Sequence, residues 1–240
     1  THTLYVGPKD QVALAALAEN LDLVIDYGWL WWLAQPLFWL LTLIQQFVIN
    51  WGLAIIALTI VVKLLFFRLS AASYKSMAKM RTVQPKIQSI RDQYADDKAK
   101  QQQAMMELWK KEKINPMGGC LPILLQLPVF FAIYRVLQNA IELKSAPWIL
   151  WVEDLAVMDP YYILPILMGI TMFLQQKITP NTMQDEMQKK IFQMLPVIFT
   201  FFFLWFPAGL TLYWFINNLF TIGQQYYINS VFERKRAEKN

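Results

Sequence analysis

Lys63 stands where a cation is expensive. It follows Ile60-Val61-Val62 and precedes Leu64-Leu65-Phe66-Phe67, inside an apolar run that begins near Asn50. If that run is a helix crossing a bilayer, Lys63 lies ~20 Å from its start and ~10 Å from the opposite interface. A lysine at helix centre costs about 2.5–3.5 kcal/mol on insertion scales, so something must solvate it. Thr59 and Ser70 share its face at i−4 and i+7. Further along, Gln126 sits between Pro122 and Pro128, and Trp214, Asn218, Thr221 and Gln225 make one stripe flanked by Tyr213, Asn217 and Gln224. No carboxylate occurs in any of the long apolar runs. A salt bridge within the chain therefore cannot be the role of Lys63.

Two readings of this polar set stay open. In the first, each residue acts alone: Gln126 and Asn218 hydrogen-bond between helices, a use worth about 0.6 kcal/mol, and Lys63 snorkels to the inner headgroups. In the second, Lys63, Thr59, Ser70, Gln126, Tyr213, Trp214, Asn218, Thr221 and Gln225 line one water-filled cavity open to the cytoplasm. That all of them reach the inner half with no compensating acid favours the cavity.

Other chemistry is excluded. Cys120 is the only cysteine and His2 the only histidine, so neither an internal disulfide nor a Cys/His metal site is expected. There is no Walker motif, Ser/His dyad, buried Asp pair or HExxH. No catalytic residue, metal or cofactor is expected.

The elements that must hold these residues follow from composition. Of 240 residues, 56% are hydrophobic and 16% charged, against roughly 25% charged in soluble proteins; mean hydropathy is +0.31. The excess apolar surface must face lipid. Five stretches are long enough to span: 49–70, 117–138, 161–178, 190–206 and 208–229, the third and fourth near the lower limit. The net charge of +5 is placed for membrane topology rather than for nucleic acid, and no nucleic-acid substrate is expected. Segment 71–116 carries ten Lys and Arg, loop 179–189 ends in Lys189 before Lys190, and tail 230–240 holds Arg234, Lys235, Arg236 and Lys239. Loop 139–160 has Lys144 against Glu142, Glu153, Asp154 and Asp159. Basic and acidic connections alternate, which puts the N-terminus outside and the C-terminus inside.

Two further elements complete the expected all-α membrane fold. Residues 29–48 are apolar with Gln35, Thr42, Gln45 and Gln46 on one face, the pattern of an amphipathic helix lying on the outer surface. Segment 71–116 reads as a helical hairpin. Met77, Met80, Val83, Ile87, Ile90 and Tyr94 form one apolar stripe, and Gln101, Met105, Leu108 and Trp109 a second, with Asp97 as the cap between. Its first leg is about 23 residues, or ~35 Å. This basic arm either touches anionic phospholipid headgroups or docks ribosomes, targeting factors or nascent chains, for which methionines on the stripe suit varied partners. A chain opening on Thr1 without Met reads as a fragment or processed product, with 1–28 the remnant of an outer domain.

Several motifs then give the pattern a family. Asp26-Tyr27-Gly28-Trp29-Leu30-Trp31, Ser76-Met77-Ala78-Lys79-Met80 and Gln84-Pro85-Lys86-Ile87 are followed by Asn115-Pro116-Met117-Gly118-Gly119-Cys120, Asp159-Pro160-Tyr161-Tyr162-Ile163-Leu164-Pro165 and Phe203-Leu204-Trp205-Phe206-Pro207. Together they resemble the YidC/Oxa/Alb membrane-protein insertases, in particular the bacterial members, along essentially the whole chain. The resemblance implies five core spans, an outer surface helix, a cytoplasmic hairpin and a hydrophilic inner-leaflet groove holding a positive charge. It also implies an earlier span and a large periplasmic domain of which 1–28 would be the end. The implied function is insertion and folding of inner-membrane proteins, alone or beside the Sec translocon, without nucleotide hydrolysis. A nascent client's apolar segment would slide along lipid-facing Phe130, Phe131, Phe199 and Phe203. The rival is a small-solute or ion channel using the same cavity. Two positions depart from the family: its groove arginine is Lys63 here, and its proline five residues later is Arg68, which predicts a helix running further and a second cation at the groove mouth.

Overall fold

The structure, a computed structural model, describes residues 27–112, 114, 121–179 and 186–238, together with Gly7, Leu14, Ala16 and Leu17. The outer-domain remnant up to residue 26, apart from those four residues, lies outside the described residues. So do Lys113, the Asn115–Cys120 motif, residues 180–185 and the last two of the tail.

Among the described residues the chain is helical. A 3-10 turn, Gly28–Leu30, leads into α1 (Trp31–Val48); then come α2 (Trp51–Leu65), α3 (Phe67–Gln93), α4 (Lys98–Lys111), α5 (Leu121–Asn139), α6 (Ile163–Ile178), α7 (Glu186–Phe203) and α8 (Ala208–Ala237). No single one of these is long and apolar enough to cross a membrane; α2 and α3 pass by length and composition only as a pair bent at the break between them. The chain is helical past Arg68, as expected, but not as a continuation of α2. Phe66, at φ −91° and ψ 7°, interrupts it, and Arg68 falls in the first turn of α3, exposed. A helix break here does not need the proline.

The chain divides into two compact units, the first drawn from Thr1–Val62, Gln126–Gly169 and Val197–Asn217, the second from Lys63–Leu125, Ile170–Pro196 and Asn218–Asn240. In the first, α1 buries Ala34, Leu37, Phe38 and Leu41 and leaves Trp29, Trp31, Trp32 and Trp39 exposed. Its turn into α2 is tied down by Asn50, whose side-chain amide donates to Trp148 O (2.9 Å) and Pro147 O (3.2 Å) while its oxygen accepts from Leu53 N (3.0 Å). Only glycine fits at position 52, because a Cβ there would collide with the Trp148 ring.

The same loop anchors the start of α8. Ala208 N donates to Val157 O (2.7 Å) and Gly209 N to Leu155 O (2.9 Å), so two of the amides a helix leaves without partners are satisfied by the loop. Asp159, 1% exposed, accepts from Leu164 N (2.7 Å), Trp151 Nε1 (3.0 Å) and Tyr161 N (3.1 Å). It caps α6 and holds the loop at once.

In the second unit, α3 and α4 pair. Asp97 caps α4 by accepting from Lys100 N (3.0 Å). Met80, Val83, Ile87, Met105 and Ile114 make a buried core, with Ile90, Leu108 and Trp109 packed against it. This corrects the expectation for the methionines. Met77, Met80 and Met105 are 8%, 3% and 1% exposed, so these methionines are buried rather than presented on the surface, Met80 and Met105 in the seam between the two legs. Outside, Lys86 pairs with Glu112 at 2.5 Å. At the base, Arg81 Nη2 donates to Ile178 O (2.6 Å) and caps the end of α6.

Candidate functional site

The nine expected polar residues fall in different units. Lys63, Ser70, Asn218, Thr221 and Gln225 belong to the second; Thr59, Gln126, Tyr213 and Trp214 belong to the first.

In the second unit, Lys63 is the last-turn residue of α2 and is 9% exposed. Its ammonium donates to Thr221 Oγ1 of α8 at 2.7 Å. Among the described residues it forms no ion pair. Ser70 and Ser73 are buried at 8% and 2%, Asn218 at 4% and Gln225 at 1%. Asn218 Nδ2 donates to Thr171 Oγ1 (3.4 Å), and Gln225 Nε2 to Thr179 Oγ1 (3.4 Å). The first bond joins α8 to α6 and the second joins it to the residue just past the end of α6, the interhelical use open to a buried amide.

Tyr74, on the first leg of the arm, also reaches this cluster. It is 3% exposed, and its phenol hydrogen-bonds the Thr221 side chain. Sequence reasoning missed it, along with Ser73, Thr171 and Thr179. The signal existed in the spacing: Lys63, Ser70 and Tyr74 stand at i, i+7 and i+11, the intervals of one helical face, although the helix itself breaks at Phe66. The stripe continues past residue 70, where the first span was expected to stop.

The first unit holds a different kind of cluster. Gln126 Nε2 donates to Tyr213 Oη at 2.5 Å, and Tyr213 is 1% exposed. Thr59, also 1% exposed, returns its hydroxyl to Ile55 O at 2.7 Å, the back-bonding that lets a threonine sit inside a helix. Trp214 packs edge-on to Phe130 (ring centroids 4.7 Å apart) and near Phe203 (5.8 Å) and Phe199 (6.1 Å). Its indole Nε1 is buried without a hydrogen-bond partner among the described residues.

The four phenylalanines expected to face lipid do not share one exposure. Phe131 is 49% exposed, whereas Phe203 is 3%, and Phe130 and Phe199 are half-buried. For Phe203 the expectation is corrected: it faces inward, among Phe130, Phe199, Phe206 and Trp214. The exposed aromatics at the end of α7 and in the turn after it are Phe201, Phe202 and Trp205 instead, at 58%, 59% and 62%.

Residues 43–236 match the family model of the 60Kd inner membrane protein, and residues 1–40 match the YidC periplasmic domain. The chain is 61% identical over 233 residues to the membrane protein insertase YidC of Marinomonas sp., covering 97% of this chain and 42% of that one. To the membrane protein insertase YidC of Azotobacter vinelandii it is 58% identical over 231 residues, covering 96% and 41%. It thus spans about two fifths of the length of these relatives. Its helical bundle matches a solved active YidC insertase, crystallised with the first transmembrane domain resolved, at a TM-score of 0.70 and 28% identity over 92% of this chain and 54% of that one. The chain belongs to the YidC/Oxa/Alb family of membrane insertases, multi-pass proteins of the inner membrane.

Proposed function

We propose that this chain is the membrane-embedded core of an insertase that moves client membrane proteins into the lipid without hydrolysing nucleotide. Five spans, near 49–70, 117–138, 161–178, 190–206 and 208–229, carry it, with the basic arm and tail in the cytoplasm and loop 139–160 outside. One observation carries the reading. A buried ammonium has three N–H donors, and among the described residues Lys63 uses one, on Thr221. The remaining capacity suits water at rest and a client's carboxylate during insertion.

A short polar segment of the client enters from the cytoplasm and meets Lys63 beside the neutral wall of Ser70, Asn218, Thr221 and Gln225. Its apolar segment leaves sideways, past exposed aromatics such as Phe131, into the acyl chains. Burial of that segment at about 25 cal/mol per Å² supplies the drive. Partners consistent with this role are nascent inner-membrane proteins, the Sec translocon, and ribosomes or targeting factors and anionic phospholipid at the arm and tail. With Met80 and Met105 buried in the seam of the arm, those contacts fall to its charged outer face.

Reconstitution of the intact protein in lipid vesicles tests the proposal. Insertion of a small single-span client without ATP is the expected result. Solute flux without insertion overturns it in favour of a channel.

A further inference from the structure

Among the described residues, four that are not glycine hold a positive φ: Ile49 (63°), Ser145 (56°), Leu150 (57°) and Tyr162 (56°). Three of these conformations have plain local causes. Ile49 closes α1, its N–H donating to Gln45 O at 2.8 Å. Leu150 is the first central residue of a turn in which Val152 N donates to Ile149 O at 3.2 Å. Tyr162 N donates to Asp159 O at 3.2 Å, at the entry to α6. The residue types at the first two are another matter. Helix ends and turns of this kind ordinarily place glycine or asparagine at such a position, and Asn50 stands one residue away from Ile49. A β-branched isoleucine in the left-handed region is a strained choice. Packing within the chain does not compensate for it, since Ile49 is 82% and Leu150 79% exposed.

The two corners adjoin, and both are held. The Asn50 amide donates to Pro147 O and Trp148 O, the Trp148 ring fills the space over Gly52, and the Trp151 indole donates to Asp159. Val152 is buried, while Ile149 and Leu150 turn outward between the two tryptophans. Residues 145–152 carry no charge; Lys144 and Glu153 bound them. From Ile49 the exposed apolar surface runs on along α2 through Leu53 and Val61, with no charged residue between. In a multi-pass membrane protein that exposed face of an apolar helix meets acyl chains.

We propose that Ile49 and the Ile149-Leu150 tip form a two-pronged anchor that enters the hydrocarbon of the leaflet at the start of α2. Burial in lipid offsets the backbone strain, and loop 139–160 is held in the membrane at its tip instead of lying wholly in water. The occupant is lipid because the patch is continuous with the lipid-facing surface of α2. The inference needs the chain to reside in a bilayer and does not need it to insert clients.

Nitroxide side chains on the intact protein in lipid vesicles test this. They are attached at Ile49→Cys, at Leu150→Cys and, as a control in the same loop, at Lys144→Cys, each in a Cys120→Ser background. Collision with oxygen, which concentrates in hydrocarbon, is compared with collision with a neutral nickel chelate, which stays in water. The oxygen-to-nickel ratio at 49 and at 150 is expected to stand about tenfold above that at 144, the preference conferred by burying one leucine-sized side chain. A ratio at either site equal to that at 144 puts the site in water and overturns the anchor. Low collision with both probes puts it under protein, whether a second copy or a further part of the chain, and overturns the proposal as well. Failure of the parent vesicles to insert a client would defeat the insertase reading and leave the collision ratios untouched.

Discussion

Two buried charges in this molecule are treated in opposite ways. Asp159, in the loop of the first unit, is 1% exposed and is served by three N–H donors, two from backbone and one from the Trp151 indole. Lys63, in the second unit, is 9% exposed and donates to one hydroxyl. Hydrogen bonds to an ionised group are about twice as strong as neutral ones, so the Asp159 carboxylate is compensated without a cation and serves as a structural knot. Lys63 is compensated in part. On the insertase reading proposed above, a buried charge with donors to spare is a poor stabiliser and a good receptor, so the partners, and not the burial, would divide structure from function.

The comparison breaks or sharpens most sharply at Asp159. Asp159→Ala leaves Leu164 N, Tyr161 N and the Trp151 indole without their acceptor, at about 1–3 kcal/mol for each that water cannot reach. The expected outcome is the largest of any single change considered: a loss of about 3 kcal/mol or more, seen as a lower thermal midpoint and lower abundance, and reduced insertion of every client alike. A client-selective defect in that variant would mean the two charges do not divide as argued.

Lys63→Gln is expected to do the reverse. Stability holds or rises, since a buried cation is removed, while insertion of clients with acidic translocated segments falls about tenfold, the low end of the value of a hydrogen bond to a charged group. Neutral-tailed clients change little, and Lys63→Arg restores the acidic ones. The measurement is insertion of matched acidic and neutral clients into vesicles. Equal rates for both would end the attraction model.

Much of this was legible before the fold was known, for a physical reason. A lysine inside an apolar run is costly wherever the helix goes, so Lys63 stands out by type alone. The motifs around Asp26, Ser76, Asp159 and Phe203 fixed the family and with it the helical bundle. What was not legible depended on which side chains turn toward each other. The arm's methionine stripe looks the same in sequence whether it faces a partner or a second stripe, and here Met105 is buried against Met80, Val83 and Ile87. Phe203 is as apolar as Phe201, yet one is 3% and the other 58% exposed, because helical phase within an all-apolar segment leaves no polar marker. Tyr74 was overlooked since a tyrosine past the expected end of a span looks like an interfacial anchor.

A finer division runs between two buried threonines. Thr59 bonds its own helix at Ile55 O; Thr221 accepts from Lys63. Thr221→Val is expected to slow acidic clients about fivefold, and Thr59→Val to leave them within twofold, because the second change removes a bond that serves only its own helix. Client insertion rates decide this. A Thr59→Val defect as deep as that of Thr221→Val would return Thr59 to the working surface.

The smallest effect lies on the arm, where charge is exposed and paired. Lys86 holds the Glu112 carboxyl below its ordinary range through a hydrogen bond and its charge, and the Lys100 backbone amide does the same for Asp97 at the cap. Both carboxyls are depressed on folding, so each contributes stability that is fully present above the unfolded value, about 4. That contribution is lost as pH falls through the lower folded value. The arm should therefore hold a constant stability from pH 8 to pH 5 and weaken only under strongly acid conditions, with a change small enough to vanish in high salt. Hydrogen exchange of the backbone amides of 98–111 across that range measures it. A midpoint near neutrality would instead require a titrating group other than these two carboxyls to hold α3 and α4 together, and would move the stability of the arm from its apolar seam to its charges.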